Sequence, residues 1–125
     1  MITPKQRRIN KLLKKRFDEL SVDEKIELIS NKYYNKQKIT YEEYVILAMT
    51  NDEIWFWFNN TEYQIDHGLS EFTSIYITEF KENKKISERS ENFTSIIELF
   101  EKFRIDGKNI KEIWDNVNFW LYKTY

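Results

Sequence analysis

The stretch Glu53-Ile54-Trp55-Phe56-Trp57-Phe58-Asn59-Asn60-Thr61-Glu62-Tyr63-Gln64-Ile65-Asp66-His67 decides the fold. Two runs of aromatic and β-branched residues flank Asn59-Asn60, and asparagine tolerates the positive φ that a two-residue hairpin turn requires. With that pair as the loop, Phe58 faces Thr61, Trp57 faces Glu62, Phe56 faces Tyr63, Trp55 faces Gln64 and Ile54 faces Ile65. Side chains alternate across a strand, so Ile54, Phe56, Phe58, Tyr63 and Ile65 share one face, which reads as core. Trp55, Trp57, Glu62 and Gln64 share the other. Two tryptophans there call for cover by another element or for a partner.

Upstream of the hairpin the chain reads as helical. Thr3-Pro4-Lys5-Gln6 is a helix start, with Thr as N-cap and Pro at the first helical position. Ile9, Leu12, Leu13, Phe17 and Leu20 follow at helical spacing and predict one apolar stripe. Arg7, Arg8, Lys11, Lys14 and Lys15 fall on the opposite side. Ser21-Val22-Asp23-Glu24 opens a second helix with Val22, Ile26, Ile29 and Tyr33 on one side, and residues 31–38 contain its break. Thr40-Tyr41-Glu42-Glu43 opens a third, with Tyr44, Val45 and Ala48 inward, ending near Thr50-Asn51-Asp52.

Downstream, His67-Gly68-Leu69-Ser70 reads as a turn and residues 72–80 as a third strand, with Ile75 and Ile77 alternating against Ser74, Tyr76 and Thr78. Lys81-Glu82-Asn83-Lys84 is a charged turn. Residues 85–90 form a short polar fourth strand whose charges suit a sheet edge. Ser95-Ile96-Ile97-Glu98 starts a helix to about Arg104, Asp106-Gly107 turns the chain, and Asn109-Ile110-Lys111-Glu112 caps a last short helix. The tail from Asn118 alternates Phe119 and Leu121 with Trp120 and Tyr122, as a strand or a docked extension. The expected architecture is α+β: N-terminal helices, a four-stranded antiparallel meander, and C-terminal helices packed on it. It is read as one domain, with a helical part over residues 1–51 and the sheet and its helices over 52–125.

The C-terminal half carries Phe93-Thr94-Ser95-Ile96-Ile97-Glu98-Leu99-Phe100 and Ile105-Asp106-Gly107-Lys108-Asn109-Ile110-Lys111-Glu112-Ile113-Trp114-Asp115-Asn116-Val117. This pattern, over about residues 53–117, resembles short uncharacterised proteins of bacterial genomes, their phages and mobile elements. The resemblance implies no catalytic residues. Physically the motif is scaffold: Gly107 permits the tight turn, and Ile110, Ile113, Trp114 and Val117 dock a short helix.

Composition narrows the chemistry. The 125 residues carry a net charge of −1, unevenly spread. Residues 1–20 hold seven Lys or Arg against two acids, whereas residues 51–80 hold six acids and no Lys or Arg. Cysteine is absent, which removes disulfides, thiolate metal sites and a cysteine nucleophile. The basic N-terminus is not followed by an apolar leader segment, and the longest apolar run, residues 54–58, is far too short to span a membrane. A cytoplasmic location is the expectation.

His67 is the only histidine and reads as a structural or surface residue, since one His beside Asp66 makes a poor metal or acid–base site. Asp52, Glu62 and Asp66 could suggest a cation site. In the hairpin register, however, about 13 Å separate Glu62 from Asp66, too far to share one ion. Gly68 and Gly107 are the only glycines, too few and too isolated for a phosphate loop or a nucleophile elbow. No catalytic residue, metal or cofactor is expected, and the expected function is non-enzymatic binding. The first hypothesis is a protein partner, basic in character, on the aromatic and acidic surface of Trp55, Trp57, Glu62 and Gln64. The phage and mobile-element resemblance extends this to an inhibitor of a host defence protein, such as one that binds nucleic acid. The alternative is nucleic-acid binding through residues 5–16, with Arg7, Arg8, Lys11, Lys14 and Lys15 on phosphates. Membrane-surface attachment by the same helix lacks the Trp anchor common in such helices.

Overall fold

A computed structural model describes residues 2–67 and 72–120, the side chain of Trp120 excepted. The turn expected at His67-Gly68-Leu69-Ser70, beyond His67 itself, and the tail after Trp120 lie outside the described residues. By internal contacts the chain divides into two compact units, residues 1–47 and 48–125, and the boundary falls inside a helix.

The first unit is helical: α1 (Pro4–Leu13), a short 3-10 turn (Phe17–Glu19), α2 (Val22–Tyr34) and the start of α3 (Tyr41–Thr50). Each helix begins where a capping residue satisfies an otherwise orphan amide. Thr3 Oγ1 accepts from Gln6 N at 3.0 Å. Ser21 and Glu24 form a reciprocal capping box, and so do Thr40 and Glu43. Burial alone would raise the Glu43 carboxyl, but its bonds to Lys32, 2.7 Å away, and to Thr40 outweigh that and hold it below the usual carboxylate range. Ile9, Leu12, Leu20 and Leu28 form a buried cluster. The long stripe expected from Ile9 to Leu20 is corrected. α1 stops at Leu13, which is 65% exposed, and Phe17, in the 3-10 turn, is 42% exposed. Once the backbone leaves the helix, a 3.6-residue spacing no longer keeps side chains on one face. Val22 is likewise exposed at the first turn of α2 rather than inward.

The second unit holds an antiparallel sheet in the order β4-β3-β2-β1-β5 among the described residues. Its strands are β1 (Glu53–Phe58), β2 (Thr61–Asp66), β3 (Thr73–Lys81), β4 (Lys84–Phe93) and β5 (Asn118–Trp120). The β1–β2 register is the one read from the sequence, from Phe58↔Thr61 to Glu53↔Asp66. Asn59 and Asn60 have φ of 49° and 58°, the signature of a type I′ turn, whose twist matches that of the flanking strands. Glu82-Asn83 repeats this at 53° and 64°, and Asp106-Gly107 at 51° and 80°. The last pair is clamped by two hydrogen bonds between Ile105 and Lys108.

Two expectations about the sheet are corrected. It has five strands among the described residues, not four, because Trp120, Phe119 and Asn118 pair with Trp55, Phe56 and Trp57 along the outer side of β1. The fourth strand is also ten residues long rather than six, running to Phe93 opposite Thr73. The helices α4 (Ile96–Lys102) and α5 (Ile110–Ile113) stand between β4 and β5 in the chain. Both have side-chain caps. Asn109 and Glu112 form a reciprocal box, while Ser95 caps Glu98 N and the Glu98 carboxylate bonds Thr94 instead. That bond to the Thr94 hydroxyl, followed by the one to its amide, holds the Glu98 carboxyl below the usual range.

The segments around α4 and α5 cover one face of the sheet. Phe103 packs edge-on against Tyr63 with centroids 6.0 Å apart and against Phe93 at 6.4 Å, and Trp114 meets Phe119 at 5.6 Å. Ile54, Phe56, Tyr63, Ile65, Ile75 and Ile77 are buried on this face. Phe58, at the turn end, is half-buried. Phe56 and Tyr63 stack directly, with centroids 4.6 Å apart and planes 9° off parallel.

Candidate functional site: the second face of the sheet

The strand registers assemble the opposite face row by row. Trp57, Glu62, Thr78 and Glu88 lie side by side across β1 to β4, and Trp55, Gln64, Tyr76 and Ser90 form the next row. Asp66, Ser74 and Asn92 form a third. All four hairpin residues expected to bind a partner therefore share this face. They differ in access. Trp55 is only 8% exposed, whereas Trp57, Glu62 and Gln64 are half-buried. Trp55 Nε1 is buried and finds no hydrogen-bond acceptor among the described residues. An unmet buried donor typically costs about 1–3 kcal/mol.

Two hollows mark the accessible part. A shallow trough of about 370 Å³ is lined by Glu62, Gln64, Asp66, Tyr76, Thr78 and Glu88. Three of those six side chains are carboxylates. Tyr76, 41% exposed, offers an aromatic ring with a polar tip among them. Glu88 is shared with Lys85, with which it forms an ion pair. A second hollow of about 350 Å³ lies where the two hairpin turns meet and is lined by Trp57, Asn60, Phe80, Glu82 and Asn83. The Trp57 and Phe80 rings touch there, with centroids 5.6 Å apart. The two turns are tied together by Phe80 N donating to Asn60 O at 2.9 Å.

Asp66, Tyr76, Thr78, Phe80 and Glu88 also line this surface and are absent from the sequence-derived site. Alternation along residues 72–80 already separates Tyr76 and Thr78 from Ile75 and Ile77. Which strand lies beside which residue of the first hairpin is settled only by the β2–β3 register, in which Gln64 meets Tyr76 and Glu62 meets Thr78.

His67 is engaged structurally. Its Nε2 lies 2.6 Å from Ala48 O, and because a carbonyl can only accept, that nitrogen carries the proton. His67 N also donates to Asp52 O, so the residue ties the end of β2 to the turn entering β1. Asp66 and Glu62 line one trough, yet among the described residues no group of three or more His, Asp or Glu side chains is placed to hold a metal ion. Nor is any helix of the described residues long and apolar enough to cross a membrane.

The basic candidates lie in the helical unit, and two of the five are paired with acids. Arg8 is bound by Glu27 at 3.2 Å and Lys15 by Glu24 at 3.4 Å, both acids on α2. Lys14 caps the C-terminus of α1 and Lys15 lies beyond it, so only Arg7, Arg8 and Lys11 of the five stand on the helix itself. The same unit carries a groove of about 700 Å³ with Ile9, Leu13, Phe17 and Leu28 among its lining residues. Compared with protein-family models, curated proteins and solved structures, the chain matches none.

Proposed function

We propose that this protein is a non-catalytic intracellular binding protein that receives a basic polypeptide on the second face of its sheet. The observation that carries the reading is the trough itself: an exposed tyrosine among Glu62, Asp66 and Glu88, continuous across β2 to β4 and flanked by the Trp57–Phe80 pair. Aromatic rings supply interface area at low entropic cost, and carboxylates around them select a cationic partner. In the phage or mobile-element setting, the partner would be a host protein whose basic surface otherwise meets nucleic acid. Nucleic-acid binding through α1 is a second reading. It is favoured by Arg7, Lys11 and Lys14, which form no ion pair among the described residues, and opposed by the neutralisation of Arg8 and Lys15.

Titration of the protein with an Arg/Lys-rich peptide, an acidic peptide and a short DNA duplex, followed by amide NMR shifts, separates the two. The expected result is shifts at Glu62, Tyr76 and Thr78 with the basic peptide alone, weakening as salt rises. Tyr76→Ala and Glu62→Lys should abolish them while leaving the melting temperature nearly unchanged. Shifts confined to residues 5–16 on adding DNA would favour the second reading and displace the first.

A further inference from the structure

We propose that two copies of this chain pair antiparallel through the outer edge of β4, over residues 87–93, with Ser90 on the two-fold axis. β4 is the end strand of the sheet, and no described strand borders its outer side. Residues 84–90 and Asn92 are exposed, and Glu91 and Phe93 are half-buried. An edge strand presents unpaired backbone amides and carbonyls to whatever chain can match them.

The β3–β4 register limits where such pairing can form. Glu79 pairs with Ser87, but Phe80 pairs with Lys85, so Ile86 is one extra residue, a β-bulge. A bulge breaks the regular spacing of ladder groups on its strand. That removes the turn end of β4 as a pairing edge. What remains is the unbroken run over residues 87–93, opposite residues 73–79. Its midpoint is Ser90.

Symmetry then selects the register. Successive residues of a strand point their backbone groups to opposite sides, so in a two-fold antiparallel pair the axis must pass through a residue facing itself. Centring on Glu88, Arg89 or Glu91 sets that charge against its own copy. Like charges directly opposite are destabilising. Centring on Ser90 instead sets Arg89 against Glu91 of the second copy and Glu91 against Arg89 of the second copy, with Glu88 opposite Asn92. Arg89 and Glu91 already lie 3.1 Å apart on one face of a single chain, so pairing closes a ring of four alternating charges. The edge is its own electrostatic complement at the one position the bulge leaves central. The second copy is therefore the occupant that the charge pattern fits.

Seven residues of strand bury much less than a standard interface, so the dimer is transient, with a dissociation constant of roughly 0.1–1 mM. Sedimentation from about 10 µM to about 1 mM should show a concentration-dependent shift from monomer to dimer. Arg89→Glu and Glu91→Arg should each weaken the dimer about tenfold or more. Mixing those two variants should restore it as a heterodimer, because each supplies the charges the other lacks. The double variant R89E/E91R should restore a homodimer within one chain, and this separates lost pairing from lost folding. A protein that stays monomeric to about 1 mM overturns the proposal. So do single variants that dimerise undiminished, or a mixture and a double variant that both remain monomeric.

Discussion

The two hairpins of the sheet are built alike and used differently. Each is closed by two residues at positive φ, Asn59-Asn60 in one and Glu82-Asn83 in the other. The first lies inside the sheet, with β3 beyond β2 and β5 beyond β1, and its alternating residues sink into the core. The second ends at the edge, where β4 buries no side chain fully and carries a bulge. What differs is the neighbour on each side. A strand flanked by two others and covered by helices needs apolar residues of one parity. A strand with an open side is better served by charge.

Substitutions can break or sharpen that contrast. The largest effect is expected at Phe56, fully buried and stacked on Tyr63. Phe56→Ala should lose about 3–5 kcal/mol in chemical denaturation, as for a core aromatic. Trp57, one residue on but on the half-buried face, should lose only about 1–2 kcal/mol on replacement by Ala, measured the same way. Equal losses at the two positions would mean that both faces are core. That outcome would also remove part of the proposed binding surface.

The turns provide a finer comparison. Asn60→Ala should cost about 1 kcal/mol, because alanine tolerates left-handed backbone less well than asparagine. Glu82, at φ 53°, occupies a conformation that a glutamate rarely adopts. Glu82→Asn should therefore stabilise the protein by about 0.5 kcal/mol, seen as a small rise in melting temperature. The smallest effect is expected at the bulge: Ile86 is 58% exposed, and Ile86→Ala should change stability by less than about 0.5 kcal/mol. A loss near that of Phe56→Ala would show the second hairpin to be as deeply packed as the first.

Local chemistry was legible in the amino-acid sequence by itself. The Asn59-Asn60 turn and its register follow from a two-residue loop between strands of period two. Helix starts at Thr3, Ser21, Thr40, Ser95 and Asn109 follow from side chains that reach amides three residues on. The parity that puts Trp57, Glu62 and Gln64 on one face needed nothing more. Tertiary structure decided what depends on distant neighbours. β5 is described over three residues and pairs with a strand some sixty positions earlier, a contact no local pattern encodes. β4 shows no alternation because side chains on both of its faces are largely exposed, so its length is set by the strand it pairs with. Trp55 and Trp57 are equivalent by parity, yet one is buried and the other partly accessible. Periodicity assigns a side chain to a face, and only the packed neighbours decide whether solvent reaches it.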